Sequence, residues 1–216
     1  GRKKGRTRRQ RIPYSRNSAS AETTPARAGQ GGSIRNVMGD KISKIGLKRG
    51  TVKLVPHNPG WDELFQAEKT KLLKALGDLV VDIQHVGSTA IPTIPAKPII
   101  DIAVFVKSLE NVDEITGRIE ALGYQKKQEN RPERRFLTKG PEENRVVYLH
   151  IGDESTSYIK DMIMFRDYLI RNSEEAQKYS SLKKELAEKF ADNREPYTAA
   201  KEKFVQEVLA KAKKPA

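Results

Sequence analysis

Two apolar runs, Leu79 to Val86 and Ile99 to Val106, flank a loop that opens Gly87-Ser88-Thr89 and carries Pro92, Pro95 and Pro98. Both runs are short, rich in Val and Ile, and bounded by Gly or Pro, which predicts two neighbouring buried strands. Asp101 stands inside the second run, among Ile99, Ile100, Ile102, Val104, Phe105 and Val106. A carboxylate in such surroundings costs free energy unless a partner, often a metal, compensates it. At the mouth of the first run, Gly87 lets the backbone approach a ligand, and the Ser88 and Thr89 hydroxyls can bond phosphate oxygens. With Lys97 between turn and acid, the stretch predicts a phosphate-and-metal site. The plainer alternative is a tight turn followed by a strand-edge acid.

The rest of the chain reads as one domain over residues 51–213, preceded by a basic tail over residues 1–50. Of the formal net charge of +13, residues 1–37 carry +9, from ten Lys or Arg and the single acid Glu22. That segment has few large apolar residues, which predicts disorder, either as a native basic arm or as vector-derived sequence ahead of a start at Met38. The remaining +4 suits a phosphate-bearing small molecule and does not demand a polynucleotide. Cysteine is absent and there are three histidines, His57, His85 and His150, which excludes disulfides, thiolate zinc sites and a histidine-rich metal cage. No apolar run is long enough for a membrane span, so a cytoplasmic protein is expected.

In order, Thr51 to Val55 alternates like a half-buried strand. Asn58-Pro59 predicts a capped helix with Trp61, Leu64, Phe65, Leu72, Leu73 and Leu76 inward. Leu109 to Leu122 predicts a second helix, stopped by Gly123. Arg134 to Thr138 and Val146 to Ile151 predict an antiparallel hairpin. Arg134 and Arg135 alternate along that strand, so at most one faces a site. From Ser157 the chain reads as helical, with Asn172 and Glu175 forming a capping box and a break at Asp192 to Pro196. Arg166-Asp167 reads as an ion pair between helices. Tyr197 and Lys201 share a helical face, open to either substrate contact or packing.

His85-Val-Gly-Ser-Thr-Ala-Ile-Pro together with Ala96-Lys-Pro-Ile-Ile-Asp-Ile resembles the GrpB family of predicted nucleotidyltransferases, in the superfamily that includes DNA polymerase beta. Further landmarks are Arg134-Arg-Phe-Leu-Thr-Lys-Gly, Leu149-His150-Ile, Phe165-Arg-Asp-Tyr-Leu and Tyr197-Thr-Ala-Ala-Lys201. The resemblance implies an α/β (α+β) fold, a nucleotidyltransferase-like mixed sheet flanked by helices, with a helical C-terminal half. It implies a metal-dependent transfer of a nucleotidyl group from a nucleoside triphosphate to a hydroxyl acceptor. Asp101 and His150 would be the catalytic residues and would share a divalent ion, magnesium or manganese. Gly87, Ser88, Thr89, Lys97, Arg134, Arg135 and His85 would grip the nucleotide and its phosphates.

The chain departs from the superfamily pattern at Ala103, where a second acid would point the same way as Asp101. That departure favours an alternative, a catalytically impaired module binding a nucleotide or phosphometabolite. Members of the family occur joined to dephospho-coenzyme A kinase, which implies a link to coenzyme A metabolism. A third reading, RNA binding, rests on the basic tail alone.

Overall fold

The computed structural model describes residues 45–127 and 134–214. Most of the basic tail, Met38 included, lies outside them. Five strands, β1 (Val80–Val86), β2 (Ile100–Val106), β3 (Tyr124–Lys126), β4 (Arg135–Lys139) and β5 (Val147–Gly152), form one sheet in the order β1-β2-β5-β4-β3. β1 pairs antiparallel with β2, and β4 pairs antiparallel with both β5 and β3. The central pair, β2 and β5, is parallel. Parallel neighbours need a covered crossover, in keeping with the burial of β5 along its whole length, His150 included.

The helices are α1 (Gly60–Leu76), α2 (Val112–Glu120), α3 (Ser157–Arg171), α4 (Ser173–Lys189), α5 (Arg194–Ala199) and α6 (Glu202–Ala212). α1 and α2 cover one face of the sheet. Trp61, Phe65, Leu72 and Leu76 pack there with Ile83, Ile100, Ile102, Val104, Ile115 and Ile119. The other face carries Asp101, Ala103, Tyr148 and His150. The register places these four together, Asp101 opposite Tyr148 and Ala103 opposite His150. The helical C-terminal half closes over that face, with Ile159 of α3 against Val86 and Ala103. The sheet and the helical second half thus match the expected α/β (α+β) architecture.

Several local expectations give way to tertiary contacts. Thr51 to Val55 is no strand: Val55 makes a lone bridge with Ala96, while the Val52 amide donates to the Ala191 carbonyl. The segment is drawn to the C-terminal helices instead of the sheet edge, and Val52 packs with Leu186 and Tyr197. Leu73 is exposed, and the α1 position that turns inward is Glu68, which accepts from the Tyr124 hydroxyl at 3.0 Å and pairs with Lys139. Asn172 does not cap α4. Its Nδ2 donates to the Tyr168 carbonyl at 2.7 Å and finishes α3. Asn58 does what its position predicts, its Oδ1 accepting from the Gly60 amide at 2.9 Å as α1 begins. No described helix is long and apolar enough to cross a membrane.

Candidate functional site

Where β1 ends, Gly87 takes φ +71° and ψ −172°, a conformation that only glycine adopts without strain. A Cβ at Gly87 would stand 2.5 Å from Asp101 Oδ2. Because Val86 pairs with Asp101 across the ladder, the glycine lies directly against the carboxylate. The 3-10 turn Ser88–Ala90 follows, and Ser88 faces the same space as Tyr179 of α4. From α3, Arg166 Nη1 donates to the His85 carbonyl at 2.6 Å and to Gln84 Oε1 at 3.0 Å, locking the end of β1. Its pairing with Asp167, at 2.7 Å, lies within α3 and does not join two helices as expected.

Turn and acid open onto a cavity of about 390 Å³. It gathers Gly87, Ser88, Thr89, Lys97, Asp101, Arg134 and His150, seven of the nine sequence candidates. His85 and Arg135 are not brought to it. His85 lies on the opposite face of β1, opposite Ile102, its ring stacked on Phe65 at 4.9 Å. Arg135 turns a guanidinium nitrogen to the Arg134 carbonyl at 3.1 Å. Thr89 also spends its hydroxyl internally. The oxygen donates to the Ile99 carbonyl at 3.4 Å, so it accepts from His85 Nε2 at 3.0 Å. Burial holds the His85 pKa down to about 4, and the neutral ring braces the turn from beneath.

The helical half adds cations that strand-based reading does not reach. Lys183 of α4, Arg194 of α5 and Lys201, between α5 and α6, all line the cavity. Lys183 is only 1% exposed; its ammonium donates to the Pro95 carbonyl and sits 4.8 Å from the Tyr179 ring centre. Lys201 sits 4.3 Å from the Tyr197 ring centre, and Lys97 lies 5.3 Å from the same ring. Arg194 Nη1 donates to the Tyr148 hydroxyl at 3.0 Å. A signal existed in sequence: Tyr179-x3-Lys183 and Tyr197-x3-Lys201 repeat one spacing, which stacks each ammonium on its own tyrosine. Burial, then the neighbouring cations, lowers Lys97 and Lys183 to about 7; burial chiefly lowers Lys201 to about 8.

Those shifts set a pH dependence for the unliganded protein. Between about 7 and the ordinary lysine value of 10.5 the folded state binds fewer protons than the unfolded chain, so stability rises with pH. His85 adds the same sign at lower pH, its contribution being lost as pH falls from 6.5 to about 4. Among facing groups, Tyr179 is raised to about 12 by burial and Tyr197 is raised as well, so both oppose the trend only near pH 10 and above. Urea unfolding is therefore expected to show stability climbing by about 2 kcal/mol or more from pH 7 to 9.5. A flat profile would mean that the lysines reach water.

The metal expectation meets a narrower donor set. Asp101 supplies one carboxylate, and its Oδ1 lies 3.6 Å from His150 Nε2. Arg134 Nη1 is 3.2 Å from His150 Nδ1, and a guanidinium can only donate. Nδ1 therefore accepts, and the proton of a neutral ring sits on Nε2, facing Asp101. At 3.6 Å no hydrogen bond to Asp101 forms, and the buried Nε2 has no partner among the described residues. Ala103, at the position of the missing second acid, is fully buried against Ile159 of α3. No cluster of three or more His, Asp or Glu able to hold a metal occurs among the described residues. Asp101 and His150 remain the two side chains at hand for a divalent ion.

Comparison with known proteins agrees with the architecture. The model of the family described as GrpB protein matches residues 51–211. The glutamate-rich protein GrpB of Alkalihalophilus pseudofirmus is 39% identical over 170 residues, 76% of this chain and 98% of that one. The crystal structure of the conserved protein GrpB from Enterococcus faecalis covers 74% of this chain and 96% of its own, with 34% identity and a TM-score of 0.69. A dephospho-CoA kinase of Mycolicibacterium paratuberculosis is 38% identical over 86 residues, 38% of this chain and 21% of that one. By these matches, which span the sheet and the C-terminal helices alike, the chain belongs to the GrpB family.

Proposed function

We propose that the cavity binds a nucleoside triphosphate and transfers its nucleotidyl group to a hydroxyl acceptor held at Asp101. The observation that carries this reading is the placement of a single carboxylate against the glycine of a Gly-Ser turn, with lysines and arginines around it. Backbone N–H groups of the turn and the cations would take the phosphate chain. The acceptor O–H proton would pass to Asp101 while its oxygen attacks the α-phosphorus. The bond from that phosphorus to the bridging oxygen breaks, and pyrophosphate leaves toward the lysines. His150 Nε2, 3.6 Å from Asp101 Oδ1, stands beside the carboxylate. Beyond Gly87 and Ser88 the cavity continues into a second lobe of about 370 Å³, where Met162, Phe165, Val205 and Leu209 offer apolar walls to a base or acceptor.

Ala103 supports a second reading, binding without transfer. The likeness of part of the chain to a dephospho-CoA kinase makes coenzyme A precursors natural ligands to try under it. Calorimetric titration with the four nucleoside triphosphates, followed by assay of pyrophosphate release with a hydroxyl acceptor library, separates the two. Binding with release supports transfer, and binding without release supports the second reading. Absence of binding by any of the four would remove the first.

A further inference from the structure

Resting on the reading of this cavity as a phosphate site, we infer that Lys97, Lys183, Lys201 and Arg194 neutralise a chain of at least two linked phosphates directly, and that this grip needs no divalent ion. Two independent observations meet here. His150 Nε2 stands 3.6 Å from Asp101 Oδ1, and no third His, Asp or Glu joins them among the described residues, so the carboxylate has a sparse donor set for a metal. Meanwhile five cationic side chains, these four and Arg134, line the cavity, and Asp101 is the only acid among the described lining residues.

Charge complementarity sets the ligand class. The fully protonated lining carries a formal +4, and burial first, then the neighbouring cations, depresses the protonation of Lys97 and Lys183. A monophosphate or a carboxylate is too weakly charged to offset that. Pyrophosphate, or the β and γ phosphates of a nucleotide, matches it and restores the protons to the lysines. In the transfer reading the same residues stabilise the leaving pyrophosphate, the task commonly given to a metal. Magnesium in solution complexes the phosphate chain and lowers its charge, so it should weaken this grip.

The test is calorimetric titration of the whole chain at pH 7.5 with pyrophosphate and with orthophosphate, in EDTA and again with excess magnesium or manganese. Repeating it in buffers of different ionisation enthalpy counts the protons exchanged. The expected result is pyrophosphate binding in EDTA, no tighter with metal, at least tenfold tighter than orthophosphate, and coupled to proton uptake. Lys183→Met and Lys201→Met should each weaken it about tenfold or more and reduce the uptake; the pair guards against one variant failing to fold. Pyrophosphate that binds only with a divalent ion overturns the inference and leaves the proposed function standing. Pyrophosphate and nucleotides that bind under neither condition overturn both.

Discussion

Asp101→Asn is expected to retain nucleotide binding while pyrophosphate release falls by about 10²–10⁴-fold, the loss of a general base. The substitution keeps the shape of the side chain beside Gly87. It removes the negative charge and the group that takes the acceptor's proton. With the cations of the lining kept and the Asp101 charge gone, the phosphate chain should bind as well as before or more tightly. The split between binding and turnover is the informative part. Equal loss of both would mark Asp101 as a structural or metal-holding group, and unchanged release would place the chemistry elsewhere.

Gly87→Ala is expected to damage the fold and the site together. Positive φ with ψ near 180° costs a non-glycine residue about 1–3 kcal/mol. The added methyl would also stand 2.5 Å from Asp101 Oδ2 and 2.9 Å from its Cβ, so the strand carrying the carboxylate must shift. A total destabilisation of about 3 kcal/mol in urea unfolding, with release lost, is the expected outcome. Ser88→Ala, one residue on, removes only a hydroxyl and should cost about 1 kcal/mol. If Gly87→Ala proves as mild as Ser88→Ala, the close approach of turn and carboxylate is not essential.

The central strands were readable because Leu79 to Val86 and Ile99 to Val106 combine an apolar run with Gly and Pro punctuation, a purely local signal. β3 was not, since Tyr124–Lys126 is too short for alternation to show and follows Gly123, which reads only as a helix stop. The parallel pairing of β2 with β5 depends on a crossover, and no residue pattern declares it. Asn172 looked like an N-cap on spacing alone, but its amide found the carbonyl of Tyr168, one turn back.

The site divides along the same line. Gly87, Asp101 and Lys97 sit in one stretch and announce themselves together. Lys183 and Arg194 come from helices whose lysines and arginines normally face solvent, so amphipathic reading assigns them outward. Only packing α4 and α5 across the sheet face turns them in, with Tyr179 and Tyr148 as their platforms. His85 shows the reverse. Its place before the turn suggested a phosphate contact, yet strand alternation puts it on the other face, where it holds Thr89.

The most direct test of the account is a crystal structure of the chain with a non-hydrolysable nucleoside triphosphate analogue. The prediction places its β and γ phosphates against the Ser88 amide and the ammonium groups of Lys183 and Lys201, with the α-phosphorus facing Asp101. An analogue seated outside this cavity, or lying in it with its phosphates turned away from those lysines, would contradict the assignment.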